Sequence, residues 1–132
     1  MKVTPDSNVL IRAIIKDDPQ QGEQAEAALS QAELIAITLP ALCEFVWVLQ
    51  KLRKTRADWI AEAIRRLTDS PRVETNRPAV AAGLALLEAG GDFADGVIAF
   101  EGRQLGGQVF LTFDKQAADL IAKTGQPVER PS

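Results

Sequence analysis

The chain has 132 residues, 46% of them hydrophobic, which suits one domain with a substantial core. With no histidine and a single cysteine, Cys43, it can build no Ser-His-Asp triad, Cys-His pair, imidazole metal site, intrachain disulfide or structural zinc site. A formal charge of −3 argues against broad phosphate neutralisation, so any nucleic-acid chemistry falls to a local, metal-using site, and a basic protein partner would suit the same balance.

The apolar pattern alternates between strand and helix. Met1 to Thr4 reads as a short strand, and Ser7 to Ile15 as a helix with Val9, Leu10, Ala13 and Ile14 on one stripe. Asp17-Asp18-Pro19 reads as a turn, and Gln20 to Gln31 as a second helix. Leu34 to Leu39 is a β-rich run. Pro40 suits the first turn of a helix from Ala41 to about Leu52. Thr55 to Thr68 places Trp59, Ile60, Ala63, Ile64 and Leu67 at helical spacing. Arg72 to Thr75 is a short strand, and Pro78 to Ala89 a helix stopped by Gly90-Gly91. Asp92 to Leu105 is helical, Gln108 to Thr112 a strand, Asp114 to Lys123 a helix, and Pro127-Val128 a last short strand. Composition is even, without repeat or linker, so residues 1–132 read as one domain. Strands separated by helices imply parallel pairing. The expected architecture is a three-layer α/β/α sandwich around a central parallel sheet of four to five short strands. No run approaches the ~20 apolar residues of a membrane span. Met1-Lys2-Val3 leads into polar Thr4 rather than a secretory leader, so the expected setting is the reducing cytoplasm.

Four acids carry the chemistry. Glu44 lies in Ala41-Leu42-Cys43-Glu44-Phe45-Val46-Trp47-Val48-Leu49, a helix apolar nearly all round. Such a helix is expected to be buried, where a carboxylate needs either an ion-pair partner or a metal. Asp95, in Asp92-Phe93-Ala94-Asp95-Gly96-Val97-Ile98-Ala99, leads an apolar face and is expected to point inward, while Asp92 suits an N-cap. Asp6 follows the first strand and Asp114 a late one, so both fall at the carboxyl ends of strands, where ligands gather in open α/β sheets. Each could also cap a helix, though Ser7 or Asn8 could take that role and leave Asp6 free. Four acids at one rim repel each other unless a cation intervenes. All-oxygen donors select Mg²⁺, Mn²⁺ or Ca²⁺, a site that suits phosphodiester hydrolysis.

The ordered motifs Asp6-Ser7-Asn8-Val9-Leu10, Glu44-Phe45-Val46-Trp47-Val48-Leu49, Asp92-Phe93-Ala94-Asp95-Gly96-Val97-Ile98-Ala99 and Thr112-Phe113-Asp114 resemble a PIN domain, most closely the VapC-type toxins of bacterial toxin–antitoxin pairs. The resemblance implies an endoribonuclease dependent on Mg²⁺ or Mn²⁺, with Asp6, Glu44, Asp95 and Asp114 as catalytic and metal-binding acids. It implies that Asp92 supports the site, and that Ser7 orients Asp6 or a water. It also implies a homodimer and a small VapB-type antitoxin, through which alone the chain would meet DNA. A tRNA is the substrate expected at family level.

Lys51, Arg53, Lys54 and Arg56 cluster after the Glu44 helix. They read either as helix-end charge pairing or as a phosphate-contacting lip, with Arg53 and Lys54 the substrate candidates, and Lys115 is a further one. Trp47 and Trp59 read as core or interface residues rather than as base-stacking platforms. Cys43 reads as a small buried apolar residue. Two other functions share parts of the pattern: a receiver-like Mg²⁺-binding signalling domain, which the mid-helix Glu44 fits poorly, and a PIN-like binding module without activity.

Overall fold

A computed structural model describes residues 1–132 as a helix-rich α/β structure with seven α-helices and five short parallel strands. It divides into two compact units, Met1–Asn76 and Arg77–Ser132. No helix is long and apolar enough to cross a membrane.

In the first unit, strands β1 (Lys2–Val3), β2 (Leu34–Ala36) and β3 (Val73–Glu74) form a parallel sheet in the order β1-β2-β3. Val3 lies opposite Ile35, and Ile35 opposite Val73. Parallel neighbours need crossover segments. Helices α1 (Ser7–Ile14) and α2 (Pro19–Gln31) make the first crossover, and α3 (Leu39–Trp47) and α4 (Ala57–Thr68) the second. Leu10, Leu42, Phe45, Leu49, Ile60 and Ile64 are fully buried and form the core. The Arg72 guanidinium donates from Nη1 to the carbonyls of Leu29, Ser30 and Ala32. It thereby adds to the Ala32 N–H bond on Leu29 and supplies a donor to the other carbonyls at the C-terminus of α2.

Two local features depart from the sequence pattern. The helix expected to run to Leu52 leaves α geometry at Trp47, and Val48–Leu52 forms a wider π-helical turn closed by the Arg53 N–H on the Val48 carbonyl at 3.2 Å. Lys54 then adopts φ 54°, a left-handed conformation that costs a non-glycine residue energy. The apolar face read across α4 is also narrower, because Trp59 is exposed while Ile60, Ala61, Ala63 and Ile64 are buried.

The second unit pairs helices α5 (Arg77–Glu88) and α6 (Phe93–Gln104), followed by β4 (Phe110–Leu111), α7 (Lys115–Lys123) and β5 (Val128–Glu129). Strands β4 and β5 form a parallel pair, with Phe110 opposite Val128. The five strands thus fall into sheets of three and two, where one sheet of four to five was expected. Gly90 takes φ 93° and ends α5, its N–H donating to Leu87 and that of Gly91 to Leu86.

Glycines let α5 and α6 approach closely. A Cβ on Gly96 would run into the Ala82 carbonyl oxygen and stand 2.9 Å from Gly83 Cα. A Cβ on Gly83 would meet the ring of fully buried Phe93 at 2.7 Å. Both obstacles to Gly96 are backbone, so no rotamer change relieves them. Gly96→Ala is expected to destabilise the chain by about 3 kcal/mol in urea unfolding, the upper range for overpacking. In the same helix nothing lies within 4 Å of a Cβ on Gly102. Gly102→Ala is therefore expected to stabilise by about 0.5 kcal/mol through helix propensity.

Candidate functional site

The first unit contributes Asp6, Ser7 and Glu44. Asp6 follows β1 and is the N-cap of α1, its Oδ1 accepting the Val9 N–H at 2.9 Å. The capping role left open to Ser7 or Asn8 therefore belongs to Asp6. The cap uses one carboxylate oxygen and fixes the orientation of the other. Ser7 Oγ donates to Glu44 Oε2 at 3.5 Å, a long contact that draws the start of α1 toward the middle of α3. Glu44 is exposed, not buried as its apolar neighbours suggested. Leu42, Phe45, Val46 and Leu49 fill the core and leave Glu44 and Trp47 outward, with Trp47 54% exposed. An apolar composition permits burial without requiring it on every face.

Beside Asp6 lies a cleft of about 310 Å³ lined by Asp6, Asn8, Val9, Arg12, Gln21 and Gln24, among others. Near it the turn Asp17-Asp18-Pro19 does more than reverse the chain. Asp18 caps α2. Asp17 accepts from Arg12 at 3.0 Å and from Arg53 at 2.6 Å. The hydrogen bond from Arg53, aided by both guanidinium charges, lowers the Asp17 carboxyl below its ordinary range. Arg53, a candidate for substrate contact, is thus already engaged, and Arg56 is paired with Asp58.

The second unit contributes Asp92, Asp95 and Asp114. Asp92 Oδ1 accepts the Ala94 N–H at 3.0 Å and caps α6; Asp114 Oδ1 accepts the Ala117 N–H at 3.0 Å and caps α7. Thr112 Oγ1 accepts the Asp114 N–H. Asp95, one turn into α6, is half-buried. Its pKa is raised, first by loss of solvent and then by the negative charges of Asp92 and Asp114. Ile98, one turn further on, is 58% exposed, so the face that Asp95 leads is only partly covered.

Residues that the sequence pattern did not single out hold this group. Gln116 Nε2 donates to the Gly90 carbonyl at 2.9 Å, tying the first turn of α7 to the α5–α6 turn. A Cβ on Gly91 would meet Leu120 at 2.6 Å. The bare backbone there lets α7 approach, which brings Asp114 within electrostatic reach of Asp95. Lys115 pairs with Asp119 at 2.9 Å along α7.

Within neither unit do three or more acidic or cysteine side chains form a ready-made metal cage. The donor chemistry nevertheless fits a hard cation. Asp92, Asp95 and Asp114 present carboxylates of one sign to one another, and the caps leave each of Asp6, Asp92 and Asp114 an oxygen outside the capping bond.

Short parallel strands joined by helices, with carboxylates capping the helices that follow β1 and β4, define an α/β protein. Residues 3–123 match the PIN domain model, and the chain belongs to the PIN-domain family. Proteins of this family are generally metal-dependent nucleases, which separates the chain from receiver-like domains. A comparison with curated proteins finds no match.

The raised Asp95 pKa has a defined sign for stability. The folded state holds the Asp95 proton more tightly than the unfolded chain does, so ionisation costs stability as pH rises above 3.8 and through the folded value. Without divalent cations, Asp95→Asn is expected to raise Tm at pH 7 relative to the parent. The gain should disappear in melts below pH 3.8, where the parent carboxyl is protonated in both states.

Proposed function

We propose that the chain is an endoribonuclease that hydrolyses RNA phosphodiester bonds with Mg²⁺ or Mn²⁺, the donors being Asp6, Glu44, Asp95 and Asp114. The observation that carries the proposal is the half-buried Asp95, set against Asp92 and Asp114 in a chain matched to the PIN domain over residues 3–123. When bound, the cation would offset the carboxylate and phosphate charges and supply an activated water. The chain's own groups do the positioning. Capping bonds fix Asp6 and Asp114. Ser7 makes a long contact with the Glu44 carboxylate. Asp92, at the cap before Asp95, keeps that carboxyl electrostatically dissatisfied until a cation arrives. The family match runs through both compact units and supports their working as one domain.

The resemblance to VapC-type toxins extends the proposal. In that role the chain would be a cytoplasmic homodimer acting on an RNA such as a tRNA, silenced by a VapB-type antitoxin that places a basic side chain at the acidic site. The acidity near Asp95 suits such a partner.

Asparagine caps a helix as well as aspartate does but carries no charge, so Asp6→Asn separates capping from catalysis. Cleavage of labelled RNA in Mn²⁺ is expected to fall about a hundredfold or more in Asp6→Asn, with Tm nearly unchanged, and to stop in excess EDTA. Undiminished cleavage in EDTA rules out this mechanism.

A further inference from the structure

Trp47 lies three residues after Glu44 on α3, so the two side chains share one helix face, and both are exposed. An exposed indole leaves a large apolar ring in water, and tryptophan is enriched at interfaces, where one end is apolar and the other wet. The next turn carries Lys51, and Lys54 follows it. Both lysines are exposed, and neither takes part in the ion pairs that engage Arg53 and Arg56. A flat π surface beside a proposed phosphate-cleaving acid, followed by two unpaired ammonium groups, matches an unstacked base with its phosphates running along the strand. It does not match an acidic or purely apolar protein segment as well, because Glu44, Trp47 and Lys51 follow one another at helical spacing and Lys54 lies just beyond the helix end.

We propose that Trp47 is a base-stacking platform for single-stranded RNA, with Lys51 and Lys54 contacting the phosphates of the same strand. The inference rests on the nuclease reading and narrows its substrate to looped or unpaired RNA, since bases inside a duplex offer no free face. The wide turn at Val48–Leu52 and the left-handed Lys54 place the lysines at the tip where α3 ends.

The test measures binding by the full chain in EDTA at low salt, with a labelled single strand and the same sequence as a duplex. Trp47→Ala is expected to weaken single-strand binding about tenfold or more, and Trp47→Phe to retain most of it. In Trp59→Phe, Trp47 is the only indole, and the single strand is expected to quench its emission. Lys51→Ala is expected to reduce the salt slope by about 0.7, one phosphate contact. If Trp47→Ala binds the single strand as the parent does, the platform is refuted, while Mn²⁺-dependent cleavage still judges the nuclease separately. Unchanged RNA affinity with a smaller mass by light scattering assigns the indole to self-association and overturns the inference. A parent chain that binds neither RNA refutes the platform, and the nuclease reading is again judged by Mn²⁺-dependent cleavage.

Discussion

Carboxylates held close by a stiff backbone cannot relax away from each other, and much of the second unit follows from that. Asp92 caps α6 and Asp95 lies three positions further on, and Asp114 is brought into their field by the start of α7. The closeness is imposed by contacts that carry no charge. Gly96 lies against the α5 backbone, Gly91 beneath Leu120, and the Gln116 amide on the Gly90 carbonyl. Packing free energy is thus set against burial of a charge and electrostatic repulsion, and Asp95 registers both through its raised pKa, loss of solvent first and the two neighbouring carboxylates after it. A cation, or a basic group from a partner, lowers the energy of such an arrangement.

Helix capping and ligand binding turn out to be compatible demands on the same side chain. Asp6, Asp92 and Asp114 each give one oxygen to a backbone N–H. That bond removes rotamer freedom from the carboxylate and so reduces the entropy lost when its other oxygen meets a ligand. The choice between cap and ligand, natural when residues are weighed singly, is therefore not forced. Asp18, which also caps a helix, shows that capping alone does not make a site.

Much of the fold was legible because its signals are local. Proline at the start of α2 and α3, Gly90-Gly91 after α5, and the 3.6-residue stripes of α1 and α4 all act over a few residues, and the elements lie within a few positions of where these signals put them. What the sequence hid depends on residues far apart in the chain. The grouping of five strands into sheets of three and two, the Arg53–Asp17 pair and the Gln116–Gly90 bond have no local signature. Glu44 shows a different limit. Its helix looks buried on every side, yet the core takes Ala41, Leu42, Phe45, Val46 and Leu49, and a face still rich in apolar atoms is left to solvent. Trp47 lies on that face, and its exposure removes the core half of its core-or-interface reading.

The π-helical turn at Val48–Leu52 acts as a phase slip. One more residue than an α-helix would use is wound into the ladder there, and each helical residue turns the chain by roughly 100°. Removing one residue would swing Leu49, now fully buried, out of phase with Leu42 and Phe45, or else redirect the chain entering α4. The spacing between Trp47 and Thr55 is therefore constrained as a length, independently of which side chains fill it. Relatives of this chain should accept substitutions across the segment far more readily than insertions or deletions.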